Sequence, residues 1–274
     1  MAERTGSTAS GSIEVSNLWQ KARAQKARKL GLSGLSVSFL HINFALLKSG
    51  NDVNIQVQND LSGEKIRASA CCCTGKMEYI YLAGRVTDLR NKTVEELKKL
   101  KELGMREISL GVESGDDWTL DRIPKGYHAE DILEQCHKLE EAGIDYWMTF
   151  LNGVAGRSHS REHALNSAKI FSQCRPMLVG TGGLKLFPGT PLLEEAQRGE
   201  FDPLTEKEML EELKLFVENL NCDCSFITHH TVAANLTGPN FLSRKEKIVA
   251  ALDNTIRHGD MDRMATIRQN KRTL

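Results

Sequence analysis

From residue 77 onward, short apolar runs alternate with longer stretches in which apolar residues recur every three or four positions. The first long stretch carries a helical stripe at Val94, Leu97, Leu100 and Leu103. Thr93 and Glu96 have the spacing of a capping box at its start, and Gly104 follows as a C-terminal cap. The pattern therefore predicts one helix between two short strands.

The same alternation repeats along the rest of the chain. Strands are predicted at 77–83, 108–112 and 146–151 and within 177–187, and helices at 94–103, 129–142, 161–173, 205–220 and 243–258. Strands that alternate with helices of this length form βαβ units and hence a parallel sheet. The predicted class is α/β, either an open doubly wound sheet or an arc of a parallel (β/α) barrel.

Residues 1–76 carry weaker signals and are predicted to be poorly organised and partly disordered. Residues 1–11 are rich in serine, threonine and glycine. Residues 18–30 contain lysine and arginine without an acid, which indicates a solvated helix face or a contact with RNA or phospholipid. Val53, Ile55 and Val57 alternate as in a strand. The predicted organisation is an N-terminal region over 1–76, a partial barrel over 77–204 and a C-terminal helical extension over 205–274.

The amino-acid composition limits the kinds of partner that we expect this protein to bind. Lysine plus arginine and aspartate plus glutamate each number 36, so no global field attracts nucleic acid or an anionic membrane. The N-terminus has no apolar signal core, and no apolar run is long enough to span a bilayer. The seven cysteines show no secretory framework. We expect a cytoplasmic protein with reduced thiols, without a membrane or a clear nucleic-acid partner.

Ligands of parallel α/β proteins bind at the carboxyl ends of the strands, which selects three segments. In 111–117, Glu113 ends a strand and is suited to receive an amine or a ribose hydroxyl; the alternative is a helix-entry turn. In 151–157, glycines permit close approach of a flat ligand, or simply form a loop. In 180–191, Gly180, Thr181, Gly182 and Gly183 have a composition suited to cradling phosphate, but they lie inside the predicted strand, which favours tight packing.

Four motifs in these segments occur in one order. They are ELGMREISLGVESGDD at 102–117, IPKGY at 123–127, EEAGIDYWMTFLNGVAGRS at 140–158 and LKLFPGTPLLEEAQRGEF at 184–201. This series resembles the fourth to sixth strands of the radical S-adenosylmethionine (AdoMet) superfamily. Residues 228–248 are similar to the C-terminal extension of one bacterial branch of that superfamily.

The resemblance implies a partial (β/α)₆ barrel, an AdoMet molecule and a 4Fe–4S cluster. In such enzymes three cysteines in a C-x₃-C-x₂-C loop hold the cluster, which reductively cleaves AdoMet to a 5′-deoxyadenosyl radical that acts on a substrate. The matching positions imply that Glu113 and Ser114 face the methionine or ribose part of AdoMet. Gly153, Gly156 and the strand near Leu186 would approach the adenine.

The sequence departs from the family at the cluster, because no C-x₃-C-x₂-C segment is present. The contiguous triplet Cys71, Cys72 and Cys73 is a poor substitute, since successive side chains of an extended segment point to opposite faces. Cys222 and Cys224 are weak candidates for a soft metal site with His229 or His230. Otherwise we expect no metal ligands, and the start of the chain is expected to be truncated or misread.

Three hypotheses of function follow. The leading one is a radical AdoMet enzyme by descent, incomplete or inactive in this chain, with an unknown substrate. The second is a non-catalytic binding or interaction module that retains the barrel. The third is an unrelated phosphate-binding α/β barrel enzyme, which would require glycines between a strand and a helix together with a lysine.

Overall fold

The computed structural model describes the backbone of residues 42–49, 52–59, 65–71, 79–228 and 236–270, and side chains over 82–228 and 236–270 apart from residue 269. The predictions for 1–11, 18–30, Cys72, Cys73, His229 and His230 lie outside these residues. The chain divides into two compact units. The first contains the strands before Arg85 together with 99–107, and the second contains 85–98 and everything from Ile108 onward.

The first unit contains an antiparallel series of strands. These are β1 (Ile42–Ser49), β2 (Asp52–Asn59), β3 (Lys65–Cys71) and β4 (Tyr79–Gly84). Each pairs with the next, with Ser49 opposite Asp52, Val53 opposite Ala70 and Cys71 opposite Tyr79. The alternating residues from Val53 to Val57 lie in β2, as their pattern predicts. The division of the chain near residue 76 stays a prediction.

The remaining elements alternate between strand and helix. The strands are β5 (Met105–Glu113), β6 (Asp145–Asn152), β7 (Leu178–Gly183) and β8 (Ser225–Thr228). The helices are α1 (Val94–Glu102), α2 (Asp117–Arg122), α3 (Ala129–Ala142), α4 (Ser160–Phe171), α5 (Pro191–Gln197), α6 (Glu206–Asn219), α7 (Phe241–His258) and α8 (Met261–Asn270). Short 3₁₀ turns occupy Val86–Leu89 and Arg157–His159.

The second sheet region runs in the order β5, β6, β7, β8. Strands β6 and β7 are parallel, as are β7 and β8. The predicted α/β class with a parallel sheet and C-terminal helices is therefore confirmed, and a partial barrel agrees with this order. Residues 205–274, for which only helices are predicted, also contribute β8 to the sheet.

The alternation of apolar residues along the strands fixes which face packs against the helices. Ile108, Leu110 and Val112 of β5 are buried, whereas the residues between them are half-buried. In β6 the buried face includes Phe150, whose ring stacks on Phe216 of α6 with centroids 4.1 Å apart. Stacked aromatic contacts stabilise a core beyond the area they bury. This packing holds the carboxyl end of β6 against α6.

The helix ends follow the sequence signals. At the start of α1, Glu96 accepts a hydrogen bond from the Thr93 amide at 2.9 Å, and the Glu96 amide donates to the Thr93 hydroxyl at 3.2 Å. Helix α3 ends at Gly143, which adopts φ 68°, a conformation that costs glycine no steric energy. No helix in the described ranges is long and apolar enough to cross a membrane.

Candidate functional site

Glu113 ends β5 in a conformation that non-glycine residues seldom adopt. Its φ is 66°, in the left-handed region, where a residue with a Cβ is strained by about 1–2 kcal/mol. Such strain persists only where the surrounding structure maintains it, and it often marks a functional position. The carboxylate turns back along the strand, so that Oε1 lies 3.2 Å from where a Cβ on Gly111 would be.

A lysine and a tyrosine from the segment after α2 surround this strand end. Lys125 Nζ donates to the Gly111 carbonyl at 2.9 Å and lies 3.5 Å from Glu113 Oε1. The Tyr127 hydroxyl lies 3.0 Å from the carbonyls of Gly111 and Val112. Burial lowers the pKa of Lys125, against the opposing effect of the Glu113 carboxylate. The result is a partly buried pair of opposite charges, with 19% and 25% of the two side chains exposed.

Ser114 lies inside a buried polar turn. Its side chain is fully buried, and its oxygen accepts from the Asp116 amide at 3.0 Å. Ser167 of α4 approaches it within 3.5 Å and accepts from the Gly115 amide at 2.8 Å. A ligand contact through the Ser114 hydroxyl would require this turn to open, so the contact predicted for Ser114 stays a prediction.

Asp116 anchors the same turn to α4 and to the loop after β6. Its carboxylate accepts from Thr119 (2.9 Å from the amide, 2.7 Å from the hydroxyl), from Asn166 Nδ2 at 2.7 Å and lies 2.9 Å from His159 Nε2. Burial raises the pKa of Asp116, but these hydrogen bonds and the nearby His159 together hold it below its usual value. The ring of His159 packs on Trp118, 48% of which is exposed, with centroids 4.2 Å apart.

Gly153 turns the chain after β6 under the control of a buried carboxylate. Its φ is 86°, and its amide donates to Glu212 Oε2 at 2.5 Å. The same oxygen accepts from Asn152 Nδ2 at 2.7 Å, and Glu212 Oε1 lies 3.1 Å from His163 Nδ1. His163 is fully buried, and its Nε2 has no hydrogen-bond partner among the residues that the structure describes. This network ties the loop after β6 to α4 and α6.

Of the two remaining predicted residues, Gly156 packs on Phe201, and Leu186 lines a cavity at the carboxyl end of β7. Gly156 has φ 76°, and a Cβ there would lie 2.9 Å from Phe201 Cε2. Leu186 packs on a cluster made of Leu184, Phe201, Leu204 and Met209. The cavity has a volume of about 500 Å³ and is lined by Leu184, Lys185, Leu186, Phe187, Pro188, Pro203, Leu204, Met209 and Arg268.

Cys222 and Cys224 precede β8 and therefore lie at the amino end of that strand. Both are buried, and their sulfur atoms are 3.3 Å apart. The hydrogen bond to Cys224, and then burial, raise the pKa of Cys222. Within 82–228 and 236–270, no three His, Cys, Asp or Glu side chains are grouped so that they could hold a metal ion. In those ranges, the two cysteines therefore have no third ligand with which to form the weakly predicted metal site.

The predicted residues thus fall into separate environments. Gly153 and Leu186 both contact Met209 or its cluster, whereas Glu113 contacts Lys125, and Ser114 lies in the Asp116 turn. Sequence patterns missed Lys125, Asp116, His159, Glu212 and Arg268. A usable signal existed for Glu212, since it is an acid within the apolar face of α6. Lys125 lies inside the IPKGY motif, although its role was not predicted.

Comparison with protein families gives one match to this site region. The model of the radical SAM superfamily matches residues 49–170. That range includes Glu113, Ser114, Gly153 and Gly156, and it ends within α4. The predicted resemblance to the superfamily is therefore confirmed.

Curated relatives match part of the chain. A tRNA uridine(34) acetyltransferase of Methanocaldococcus infernus is 27% identical over 119 residues, which are 43% of this chain and 22% of that protein. The enzyme of the same name from Dehalococcoides mccartyi is 27% identical over 113 residues, 39% of this chain and 24% of that protein. The chain thus spans less than a quarter of the length of these relatives.

Solved structures are similar at a lower level. The archaeal Methanocaldococcus infernus Elp3 with an N-terminal deletion has a TM-score of 0.46 and 19% identity, covering 63% of this chain and 41% of that one. Methylornithine synthase has a TM-score of 0.36 and 17% identity, covering 64% and 53%.

Proposed function

We propose that this chain, whose residues 49–170 match the model of the radical SAM superfamily, binds AdoMet at the carboxyl end of β5. The observation that carries the proposal is the strained Glu113, whose carboxylate stands beside the Lys125 ammonium. The amino acid part of AdoMet carries one ammonium and one carboxylate group. A half-buried pair of opposite charges is complementary to both groups, and charge-assisted hydrogen bonds are stronger than neutral ones.

Residues beyond Glu113 have supporting roles in this proposal. Tyr127 holds the last carbonyls of β5, and Asp116 fixes the turn that follows, so the strand end is rigid before a ligand arrives. Gly153 and Leu186 lie at the ends of the next strands, where the adenine would be seated. Rigid sites lose less conformational entropy on binding than mobile ones.

The 4Fe–4S cluster that the family implies does not fit the side chains described. The four cysteines there are Cys136, Cys174, Cys222 and Cys224; all are buried, and no three metal-binding side chains converge in those parts of the chain. When bound, the cluster would supply the electron for reductive cleavage of AdoMet. We therefore propose that this chain binds AdoMet and that it is incomplete for generating a radical.

Isothermal titration calorimetry with AdoMet tests the proposal on the full chain. Without iron to chelate its amino acid part, AdoMet should bind weakly, in the range of about 100 μM or above, which corresponds to roughly 5 kcal/mol. Glu113→Gln should weaken binding by roughly tenfold, because a charge-assisted hydrogen bond contributes about 1.5–3 kcal/mol.

Glu134→Gln is the matched control for this experiment. Glu134 pairs with Lys138 at 2.9 Å on the exposed face of α3, away from the strand ends. This variant should retain the affinity of the unmodified chain. If Glu113→Gln binds AdoMet equally well and only lowers the melting temperature, Glu113 is a structural partner of Lys125 and the site assignment is lost.

The relatives supply a second, more specific candidate: a tRNA substrate. It rests on the name tRNA uridine(34) acetyltransferase, which belongs to proteins that this chain matches over less than a quarter of their length. An exposed aromatic side chain favours it, since Trp118 beside His159 offers a face on which a base can stack. Stacking of one base contributes about 1–3 kcal/mol.

Filter binding with unmodified tRNA tests this candidate. Trp118→Ala should weaken binding by roughly fivefold or more, whereas Met177→Ala, which removes another exposed apolar side chain, should not. Because the whole chain has balanced charge, binding should depend less steeply on salt than that of a basic protein. If both variants bind tRNA as well as the unmodified chain does, Trp118 does not stack on a base. If the unmodified chain does not bind tRNA, tRNA is not its substrate.

A further inference from the structure

The cavity at the carboxyl end of β7 has the size and lining of a small-molecule site. Its volume of about 500 Å³ falls within the range typical of ligand pockets. Leucines, a phenylalanine, prolines and Met209 form most of the wall, and two cationic side chains, Lys185 and Arg268, complete it. Pockets of this kind seat an apolar body and orient it through a few polar groups.

Arg268 is held in place so that part of its guanidinium remains available. Nε pairs with Glu206 at the start of α6, and Nη1 donates to the Leu184 carbonyl at 2.6 Å. Among the residues that the structure describes, none accepts a hydrogen bond from Nη2. Only 18% of the side chain is exposed, so this donor is fixed at the cavity rather than extended into solvent. A preorganised arginine of this kind recognises carboxylate and phosphate groups.

Lys185 strengthens the positive character of the cavity. Its ammonium lies 5.1 Å from the ring centroid of Phe187, another wall residue. Glu206 neutralises part of the Arg268 charge, while none of the described side chains that line the cavity is acidic. Two cationic side chains therefore line the cavity, although the whole chain has no net formal charge.

We propose that this cavity binds a small organic anion. Its apolar body would rest on Leu184, Leu204 and Met209, and its carboxylate or similar acidic group would accept from Arg268 Nη2. The anion is a separate substrate that lies beside bound AdoMet. This identity rests on the proposed function, because it makes the cavity the substrate compartment of an AdoMet-binding protein.

Two fluorescent probes of nearly equal shape test the proposal. 1-Anilinonaphthalene-8-sulfonate carries a sulfonate on an apolar body, and N-phenyl-1-naphthylamine is its neutral counterpart. Both should bind the full chain with one saturable site. Arg268→Gln should weaken the sulfonate probe by about tenfold through the loss of a charge-assisted hydrogen bond, and should change the neutral probe less than twofold.

Two further variants make the test independent of a folding defect. Glu206→Gln removes a negative charge beside Arg268, while the glutamine oxygen can still accept from Nε, so it should tighten the sulfonate probe and leave the neutral probe unchanged. Leu186→Trp fills the cavity, so both probes should lose their site. Arg198→Gln is the matched control, because Arg198 pairs with Glu200 away from the cavity. Thermal melts of each variant establish that it is folded.

The outcomes separate this inference from the proposed function. Equal loss of both probes in Arg268→Gln, or no loss of the sulfonate probe, overturns the anion site whether or not AdoMet binds. If the expected pattern appears, persistence of the sulfonate probe at saturating AdoMet supports a separate organic anion that binds beside AdoMet. Displacement of the probe by AdoMet overturns the separate anion, because the two ligands then occupy one space. Retained probe binding in a chain that fails to bind AdoMet leaves the anion site standing and removes the proposed function.

Discussion

At the scale of single residues, Asp116 connects three parts of the candidate site. Its carboxylate holds Thr119 at the start of α2, Asn166 in α4 and His159 after β6. Because its pKa is lower in the folded chain, the unfolded chain takes up the proton first as pH falls. The stabilisation is therefore complete above the ordinary pKa of an aspartate and disappears as pH falls through the lower, folded value.

Asp116→Asn isolates this charge, because asparagine retains the helix-capping geometry. At pH 7 the variant should lose about 1–3 kcal/mol of unfolding free energy, since a buried hydrogen-bonded carboxylate is replaced. The difference should shrink as the pH is lowered from 5 to 3. Urea unfolding of both proteins across that range measures it, and a difference that does not change with pH would show that the charge contributes nothing.

The same residue scale shows which parts of the site a sequence can reveal. The end of a strand is a local property, so the apolar pattern alone predicts Glu113 and the glycines after β6 at the carboxyl edge of the sheet. The contact of Lys125 with Glu113 joins positions 12 residues apart, and that of Arg268 with Leu184 joins positions 84 apart. Pairings of this kind depend on how the chain packs, and no local periodicity encodes them.

At the scale of elements, a helix or strand can be predicted from the sequence when its apolar residues repeat over enough positions. Helix α3 has the predicted bounds because a buried stripe ends at a left-handed glycine. Helices α2 and α5 were missed because six and seven residues are too few for a repeat. Strand β8 has four residues, and none of the described side chains of α8 is fully buried. Tertiary packing, rather than local pattern, stabilises elements as short as these.

Helix α6 shows how one element can serve both stability and the site. Its apolar face contacts β6 through Phe216, and Met209 lines the cavity. Glu212 interrupts that face, and its carboxylate fixes Gly153 and Asn152 at the end of β6. A buried carboxylate is retained only where it is hydrogen-bonded. The polar residue in the stripe is therefore the link between the helix and the loop that follows the strand.

At the scale of the whole molecule, the missing cluster motif makes a prediction about iron. Anaerobic reconstitution of the full chain with iron and sulfide should yield far fewer than four iron atoms per protein, because no C-x₃-C-x₂-C segment is present. Iron and sulfide assays together with the absorbance near 400 nm provide the measurement. A stable brown protein with about four irons per chain would make Cys71, Cys72 and Cys73 the ligands to examine, and their substitution by serine would then bleach it.

Strand β8 has a consequence for the order in which a ribosome delivers this chain. Strand β8 follows α6 in the sequence, and it pairs with β7 as its parallel neighbour. While synthesis is still short of Ser225, the backbone of β7 has no partner on that side, and unpaired strand edges promote association between chains. The interval between translation of β7 and of β8 is therefore when nascent copies on one messenger RNA are most exposed to pairing with each other.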